Sequence, residues 1–197
     1  MKRIMSKAVL VTMVVAAMVV PQPLSASKEL SITDLGTLGG TSSEARAINN
    51  RGQVGGQSNT ASEELLRAVL WQDGVITDLG LDVDSAVLSI NERGQAVGVY
   101  SPGGDAVAFL WKKGSLTNLG TLGGINSFAT AINERGQIVG ASFTAPDDFF
   151  RHAFLWQHGV MTDLGLGGRH SVAYDMNNRG HIVGEIETTI NTTLSDL

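Results

Sequence analysis

Residues 131–140 read Ala-Ile-Asn-Glu-Arg-Gly-Gln-Ile-Val-Gly, and close copies of this stretch occur at residues 47–56, 89–98 and 175–184. The glycine of the polar segment recurs at intervals of 42, 42 and 44 residues, as Gly52, Gly94, Gly136 and Gly180. A fixed period of this length is typical of repeat proteins, and a propeller blade of four strands takes about 40–45 residues. The repeated stretch therefore predicts a fold built from about four similar units.

Each copy has the pattern of a β-hairpin. In the third copy, residues 127–132 carry small side chains at alternate positions, as a short strand does. The polar residues 133–136 end in a glycine, which accepts the positive φ of a tight reversal. Residues 137–141 are again rich in strand-forming side chains. Two strands joined by so short a polar turn form a hairpin, and we call them strands a and b.

The rest of each unit predicts a second hairpin, made of strands c and d. In the second unit, strand c reads Ala-Phe-Leu-Trp at residues 108–111, and strand d contains Asp-Leu-Gly or Asn-Leu-Gly in every unit. Three units are complete, at about residues 41–80, 81–124 and 125–168, and a fourth starts at Arg169 with strands a and b. One leading strand d at residues 30–35 brings the expected number of strands to fifteen.

We therefore expect an all-β, β-propeller-like array of about four four-stranded repeats, three complete and one composite or partial. The leading strand d is able to pair with strands a and b of the fourth unit, which would hide two aggregation-prone sheet edges. Residues 187–197 are too polar to fit well as the missing strand c. Three alternatives remain open: a small ring that closes imperfectly, an open arc, and a fragment of a longer array.

The first 26 residues have the parts of a secretory signal peptide. Three basic residues lie within the first seven, an apolar run without charge follows at residues 8–20, and residues 21–26 end in small side chains. The run is short for a membrane anchor, which needs about 20 apolar residues. We expect cleavage after Ala26 or Ser27 and a secreted, extracellular or periplasmic domain at residues 27–197. No membrane span is expected in the mature chain.

Composition limits the partners of this domain. The chain has 14 basic and 19 acidic residues, and residues 1–26 hold three of the basic ones and none of the acidic ones. The mature part then has 11 basic and 19 acidic residues, a formal charge of −8. Such a charge disfavours a nucleic-acid or anionic-membrane partner. Because cysteine is absent, disulfides and thiolate chemistry are excluded.

The combined repeat is similar to the HAF family of extracellular bacterial repeat proteins. It reads Ser-x-Ala-x-Ala-Ile-Asn-x-Arg-Gly-Gln-x-Val-Gly, followed by His-Ala-Phe-Leu-Trp-x-x-Gly-x-Met-x-Asp-Leu-Gly. The third unit carries the name-giving motif as His152-Ala153-Phe154, whereas the first two units have Arg67 and Val107 in place of the histidine. The resemblance covers residues 30–186. It implies export and a repetitive β fold, and it implies no defined catalytic residues.

Three sets of recurring residues are candidates for ligand contact, and for each we favour a structural role. The tryptophans that end strand c recur in every complete unit, as packing residues do. The asparagines of the a–b turns bond nearby backbone, and the arginines beside them lie exposed. The aspartates of strand d lack the clustered oxygen ligands of a calcium site. The sets are Trp71, Trp111 and Trp156; Asn49, Asn91, Asn133 and Asn177 with Arg51, Arg93, Arg135 and Arg179; and Asp34, Asp78 and Asp163, with Asn118 in the second unit.

Motifs of catalysis and cofactor binding are missing from the sequence. The four histidines do not have the spacing of a zinc-protease motif, no Gly-x-Ser-x-Gly occurs, and the glycine-rich Gly-Thr-Leu-Gly-Gly runs lack the lysine of a phosphate-binding loop. We therefore predict a protein without catalytic residues, bound metal or cofactor.

Variation between the units indicates where a ligand binds. Up-and-down strands place the a–b and c–d turns at one end of the units, here called the turn face, and the b–c and d–a loops at the other, the loop face. The turns are nearly identical, whereas the b–c loops differ, and repeat proteins commonly bind through their variable face. The candidate ligand surface combines two aromatic rings with mixed charge, at Asp147, Asp148, Phe149, Phe150 and Arg151.

Three functions follow in order of preference. The first is an exported, non-catalytic scaffold that binds an extracellular protein or glycan through the loop face. The second is a structural, self-assembling envelope protein whose repeats form homo-oligomers by edge pairing. The third is a secreted enzyme acting on polysaccharide, which requires a convergent pair of carboxylates.

Overall fold

In the computed structural model of the chain, residues 9–12, 30–62, 65–147, 150–165 and 170–187 are described, and these residues form strands, turns and loops without a helix. The strands are β1 (Val9–Thr12), β2 (Ser31–Asp34), β3 (Gly39–Ile48), β4 (Val54–Thr60), β5 (Leu66–Gln72), β6 (Val75–Asp78), β7 (Ser85–Ile90), β8 (Ala96–Tyr100), β9 (Val107–Lys112), β10 (Ser115–Gly120), β11 (Ser127–Ile132), β12 (Ile138–Phe143), β13 (Arg151–Gln157), β14 (Val160–Asp163), β15 (His170–Met176) and β16 (Ile182–Glu187). The all-β prediction is confirmed, and β2–β16 are the fifteen expected strands.

The expected strands a to d pair within their own unit. β3–β6, β7–β10 and β11–β14 form three four-stranded antiparallel sheets, which we call sheets 1, 2 and 3. β15 and β16 form sheet 4, which has two strands. Each sheet follows the order of the sequence, so its neighbouring strands are connected directly, by the short a–b and c–d turns and the longer b–c loops.

The c–d turns explain part of this hairpin topology. Asp73 and Gly74 both have positive φ, 52° and 77°, and Lys113 with Gly114 repeats the pattern. Two consecutive central residues of positive φ match the type I′ turn, whose twist agrees with the twist of antiparallel strands. The hairpin predicted from the Asp-Gly pair is confirmed.

The four sheets stack in the order of the sequence. The first strand of each sheet packs on the first three strands of the preceding sheet: β7 on β3–β5, β11 on β7–β9, and β15 on β11–β13. The described strands do not close into a ring. Of the three alternatives left open by the sequence, the closed ring is therefore not the one observed.

The leading strand d pairs differently from our expectation. β2 pairs with β1, with Val9 opposite Asp34 and Thr12 opposite Ser31, and it does not join β15 or β16. The join that the sequence allowed is not observed, because β2 and sheet 4 lie at opposite ends of an open stack. β1 falls within the predicted signal peptide, and the remainder of that segment, residues 1–8 and 13–26, lies outside the described residues.

The last glycine of the repeated stretch is required by a close backbone contact. Pairing of β7 with β8 shifts register between Val87 and Ser89, which forms a bulge. At this bulge, a Cβ atom on Gly98 would overlap the carbonyl oxygen of Ala86. The equivalent glycines of the other sheets have the same contact, at Gly56, Gly140 and Gly184. The last glycine of the repeated stretch thus marks a strand bulge in each unit.

Strand c supplies large side chains to the spaces between sheets. Phe109 is fully buried in a cluster with Leu70 of sheet 1 and Val87 of sheet 2. Phe154 is also fully buried and joins the cluster between sheets 2 and 3. Burial of one such side chain contributes about 1.5–3 kcal/mol relative to exposure. Each sheet therefore depends on its neighbour to cover its apolar face.

The tryptophans confirm this packing. Trp111 and Trp156 are partly buried and pack against the same two clusters as Phe109 and Phe154. Trp71 is 2% exposed and lies in a cluster with Val54 and other side chains of sheet 1. The structural role predicted for all three tryptophans is confirmed.

A serine at the start of strand a bonds the preceding sheet. Pairing of β5 with β6 ends at Val69, and the backbone N–H of Ala68 then donates to Ser85 Oγ of sheet 2 at 2.9 Å. The same bond joins Ala108 to Ser127 and Ala153 to Ser171. A backbone donor buried at the sheet interface is thereby satisfied by the next unit.

Candidate functional site

The asparagines of the turn face hold the a–b turns. Asn91 Oδ1 accepts hydrogen bonds from the backbone N–H of Arg93 and of Gln95, each at 3.0 Å. The other units repeat this pair of contacts, at Asn49, Asn133 and Asn177. Side-chain bonds to the following backbone define an Asx turn. The predicted turn role of these asparagines is confirmed.

The same asparagines also connect neighbouring units, which we did not predict. Asn49 Nδ2 donates to the carbonyl oxygen of Asn91 at 3.0 Å, and Asn91 donates in turn to Asn133 at 3.1 Å. Asn133 completes the series by donating to Asn177 at 3.3 Å. In the sequence, the only indication of these bonds is that asparagine recurs at the same position of every a–b turn. This recurrence does not reveal that the turns stack on one another.

A second series of bonds runs beside this ladder. The backbone N–H of Asn50 donates to Glu92 Oε1 at 2.9 Å, and the N–H of Glu92 donates to Glu134 Oε1 at 2.8 Å. Both carboxylates are therefore used to join one turn to the preceding one.

The aspartates of strand d form turns as predicted. Asp78 Oδ1 accepts from the N–H of Gly80 at 2.9 Å. The matching bonds to the glycine two residues later occur at Asp34, Asn118 and Asp163. These carboxylates are therefore part of the d–a loops.

The histidine of the His-Ala-Phe motif pairs with one of these aspartates. His152 Nδ1 lies 2.8 Å from Asp163 Oδ2. In the first unit the same two positions hold Arg67 and Asp78, whose Nη1 and Oδ2 atoms are 3.0 Å apart. In the second unit they hold a valine and an asparagine. A basic residue thus occupies this position of strand c only in the units whose strand d carries an aspartate. This correspondence indicates that the two side chains form a structural pair between strands c and d.

The loop face is formed as predicted, with the d–a and b–c loops at one end of the sheets. The backbone N–H of Gly124, in a d–a loop, donates to the carbonyl of Phe143 at the start of a b–c loop, at 3.0 Å. Ser101 and Asp84 make the corresponding contact at 2.9 Å, with Ser101 donating. The rigid sheets therefore position the variable loops through backbone bonds.

The predicted ligand surface divides into exposed and anchored residues. Asp147 is exposed, whereas Phe150 and Arg151 are half-buried. Asp148 and Phe149 lie outside the described residues. Phe150 has an interaction partner.

Arg151 is held at the junction of sheets 3 and 4. Its Nε donates to His170 Nε2 at 2.9 Å, and its guanidinium carbon lies 5.7 Å from the centre of the Phe128 ring. A guanidinium over an aromatic face gains a cation–π attraction. The sequence placed Arg151 in a variable loop of mixed charge, whereas in the structure it is the first residue of β13 and its guanidinium is held by these two contacts.

Tyr174 and Glu185 lie on sheet 4 near this junction. The hydrogen bond between the Tyr174 hydroxyl and the Glu185 carboxylate raises the pKa of Tyr174, and desolvation and the negative charge add to the shift. Arg151 acts in the opposite direction and lowers the pKa of the same hydroxyl. Arg151, Tyr174 and Glu185 therefore bring positive, aromatic and negative groups close together beside the junction of sheets 3 and 4.

An apolar cavity of about 340 Å³ lies between sheets 3 and 4. Its walls include Leu164 of sheet 3 and Val172, Ile182 and Ile186 of sheet 4. In sheets 2 and 3, a phenylalanine of the third strand packs onto the preceding sheet. In the part of the chain that the structure describes, no third strand lies beside β16.

No family model matches the chain, and no curated protein matches it. Within the described ranges, no group of three or more His, Asp or Glu side chains is arranged to hold a metal ion. The same ranges contain no helix with the length and apolar character needed to cross a bilayer.

Proposed function

We propose that this chain is an exported, non-catalytic repeat protein of the HAF type, which binds an extracellular protein or glycan through its loop face. The observation that carries this proposal is the separation of repeated from variable residues. The repeated asparagines, serines and aspartates make hydrogen bonds within and between sheets. The variable residues lie in the b–c loops, where a rigid scaffold presents them to solvent.

We also infer that the stacked sheets form an open, propeller-like arc. The period of 42–44 residues and the four-stranded meanders support this arrangement. So does the packing of each first strand onto the preceding sheet. In such an arc the loop face runs along one side, which gives a ligand an extended surface.

The third b–c loop provides the most favourable contacts on that surface. Arg151 is oriented by Phe128 and His170, so its guanidinium loses little freedom when it binds a carboxylate or a carbonyl. Asp147 is exposed and adds a hydrogen-bond acceptor. Aromatic and charged groups together suit both a sugar ring and a protein side chain.

The loop face is tested with the secreted chain on an array of purified extracellular polysaccharides and proteins. In one variant, residues 145–149 are replaced by five Gly and Ser residues; in the matched control, residues 101–105 of the second unit are replaced in the same way. We expect a ligand that is lost in the first variant and retained in the control. Binding that survives both replacements contradicts the loop-face proposal. Binding that survives the first replacement alone, or that both replacements abolish equally, contradicts the assignment of the main contacts to the third b–c loop.

Export is tested separately by the intact mass of the protein recovered from the medium or periplasm. Cleavage after Ala26 or Ser27 is the expected result. A full-length mass in that fraction contradicts the predicted signal peptide.

Self-assembly is the second candidate, because sheet 4 leaves apolar surface uncovered. Tyr174 is 51% exposed and Val183 is 62% exposed, and both lie on this last sheet of the described stack. Sedimentation velocity is expected to show oligomers that grow with concentration and are reduced by Val183→Lys. A monomer at every concentration, or oligomers unaffected by the lysine, contradicts self-assembly through this face.

A further inference from the structure

Charge is divided unequally between the two faces of the molecule. The turn face comprises residues 49–53, 91–95, 133–137 and 177–181 in the a–b turns and residues 72–75, 112–115 and 157–160 in the c–d turns. It holds six basic and three acidic residues, a formal charge of +3. The rest of the described chain holds three basic and eleven acidic residues, a formal charge of −8. A positive edge thus lies on an acidic protein.

In the described turns, the acidic residues of the turn face form no ion pair with its arginines. Glu92 accepts hydrogen bonds from the backbone N–H and the side-chain amide of Asn50, and Glu134 accepts from the backbone N–H of Glu92. Within the described ranges, all ion pairs involve residues outside the a–b turns. The four arginines of these turns are exposed and have no such pair, namely Arg51, Arg93, Arg135 and Arg179.

The turn glycines leave room for an arginine to lie along the stack. Arg51 Nη2 donates to Gln53 Oε1 at 2.8 Å and lies 3.0 Å from where a Cβ atom of Gly94 would be. The same Nη2 contact is 2.9 Å between Arg135 and Gly180. These two guanidinium groups therefore reach across to the following turn, and the glycine there makes this possible.

The stacking of the sheets sets the spacing of these charges. Packed sheets lie about 10 Å apart, so the a–b turns present one guanidinium at roughly that interval. An arginine binds a carboxylate through two parallel hydrogen bonds, which makes it suited to recognising planar anions. A ligand that meets four such groups in a row must itself be an extended chain with regularly spaced anions.

We propose that the turn face binds an acidic polysaccharide, a polyuronate, along the row of Arg51, Arg93, Arg135 and Arg179. A single-stranded nucleic acid fits this face less well, because the turn-face residues include no Phe, Tyr or Trp on which bases stack. The acidic remainder of the protein also repels a polyanion that spreads beyond the row. This site lies opposite the loop face, so its existence does not depend on the function proposed for that face.

The test measures binding of the secreted chain to immobilised polygalacturonate by biolayer interferometry at low and at physiological salt. Arg93→Gln is expected to weaken binding roughly three-fold, within the range found for exposed ion pairs. Replacing all four arginines by glutamine is expected to weaken it on the order of 50-fold, since distant contacts add. Arg46→Gln is the matched control, because Arg46 lies on β3 outside the turn face and pairs with Glu44.

Further comparisons make the result decisive. Fully methyl-esterified polygalacturonate is expected not to bind. A variant with all four arginines replaced by lysine is expected to bind with intermediate strength, because it keeps the positive charge and loses the planar guanidinium. Tryptophan fluorescence and circular dichroism show whether each variant is folded, and Arg93→Gln serves alone if the fourfold variant is not. Absence of polygalacturonate binding, an equal loss in Arg46→Gln, or tighter binding of single-stranded DNA overturns the proposal.

Discussion

Replacing Asn91 by alanine tests the ladder of asparagines that joins the turns. Asn91 is 3% exposed, and its side chain makes four hydrogen bonds. The side chain accepts from the N–H of Arg93 and Gln95, and it donates to Gln95 Oε1 at 2.8 Å and to the Asn133 carbonyl at 3.1 Å. A net hydrogen bond contributes about 0.5–1.5 kcal/mol, and an unsatisfied buried group costs about 1–3 kcal/mol. The Arg93 N–H lies near exposed residues, where water replaces the bond to Asn91 Oδ1, so the loss of this bond costs little. We expect a total loss of about 3 kcal/mol in the free energy of unfolding.

Asn177 provides the matched control for this variant. It accepts the same two backbone bonds, at 2.9 Å from Arg179 and at 3.0 Å from His181, but it is exposed and has no hydrogen bond to a further turn among the described residues. Asn177→Ala is therefore expected to cost about 1 kcal/mol. The difference of about 2 kcal/mol isolates the bond between units together with its burial.

The assay is equilibrium unfolding in urea, followed by tryptophan fluorescence and by circular dichroism. Both probes must give the same midpoint before a single free energy is extracted, because repeat proteins lose cooperativity when one interface weakens. Equal destabilisation by the alanine variants at Asn91 and Asn177 would refute the reasoning. It would show that the asparagines stabilise their own turns alone.

Three further predictions concern single contacts. Gly98→Ala places a Cβ against the Ala86 carbonyl oxygen and is expected to lower the free energy of unfolding by more than about 3 kcal/mol. Gly103 has open space around it, so Gly103→Ala is expected to change that free energy by no more than about 0.5 kcal/mol. Equal melting temperatures of the two variants would contradict the bulge contact. The Ser127 hydroxyl accepts from the Ala108 N–H at 2.9 Å and donates to the Gly120 carbonyl at 2.7 Å. Ser127→Ala removes both bonds and is expected to lower the free energy of unfolding in urea by about 2 kcal/mol. The matched variant Ser115→Ala, at an exposed position, is expected to leave it unchanged. Glu185→Gln is expected to move the pKa of Tyr174 down towards its ordinary value of 10.0 in an ultraviolet absorbance titration. Because the pKa of Tyr174 is raised in the folded state, its bond to Glu185 stabilises the fold fully below the ordinary pKa, and this stabilisation is lost as the pH rises through the folded-state pKa. The Glu185→Gln variant is therefore expected to lose this decrease of stability at alkaline pH. An unchanged titration would contradict the Tyr174–Glu185 bond.

Local chemistry made much of the fold predictable. The Asn-x-Arg-Gly and Asp-Gly segments determine turns by themselves, because an Asx bond and a positive φ are properties of a few consecutive residues. The burial of the tryptophans followed from their recurrence at one position of each complete unit. These features located the fifteen strands and the two faces of the units.

Contacts between units were harder to predict. The bond from Asn91 to Asn133 and the bond from Ala108 to Ser127 join residues in different sheets, and their geometry depends on how the sheets stack. The pairing of β2 with β1 was missed for a similar reason, since the sequence does not show which sheet edges come close. At the candidate surface, the sequence located Arg151, but its contacts with Phe128 and His170 required the packing of sheet 4 on sheet 3.

Native-state amide hydrogen exchange tests most directly whether each small sheet depends on its neighbours. Strands β8, β9, β11 and β12 lie in sheets covered on both sides, so their amides are expected to exchange most slowly, at a rate set by global unfolding. Those of β15 and β16, at the end of the described stack, are expected to exchange fastest among the strands of sheets 1 to 4. Equal protection of all four sheets, or slower exchange in sheet 4 than in sheet 2, would contradict this account.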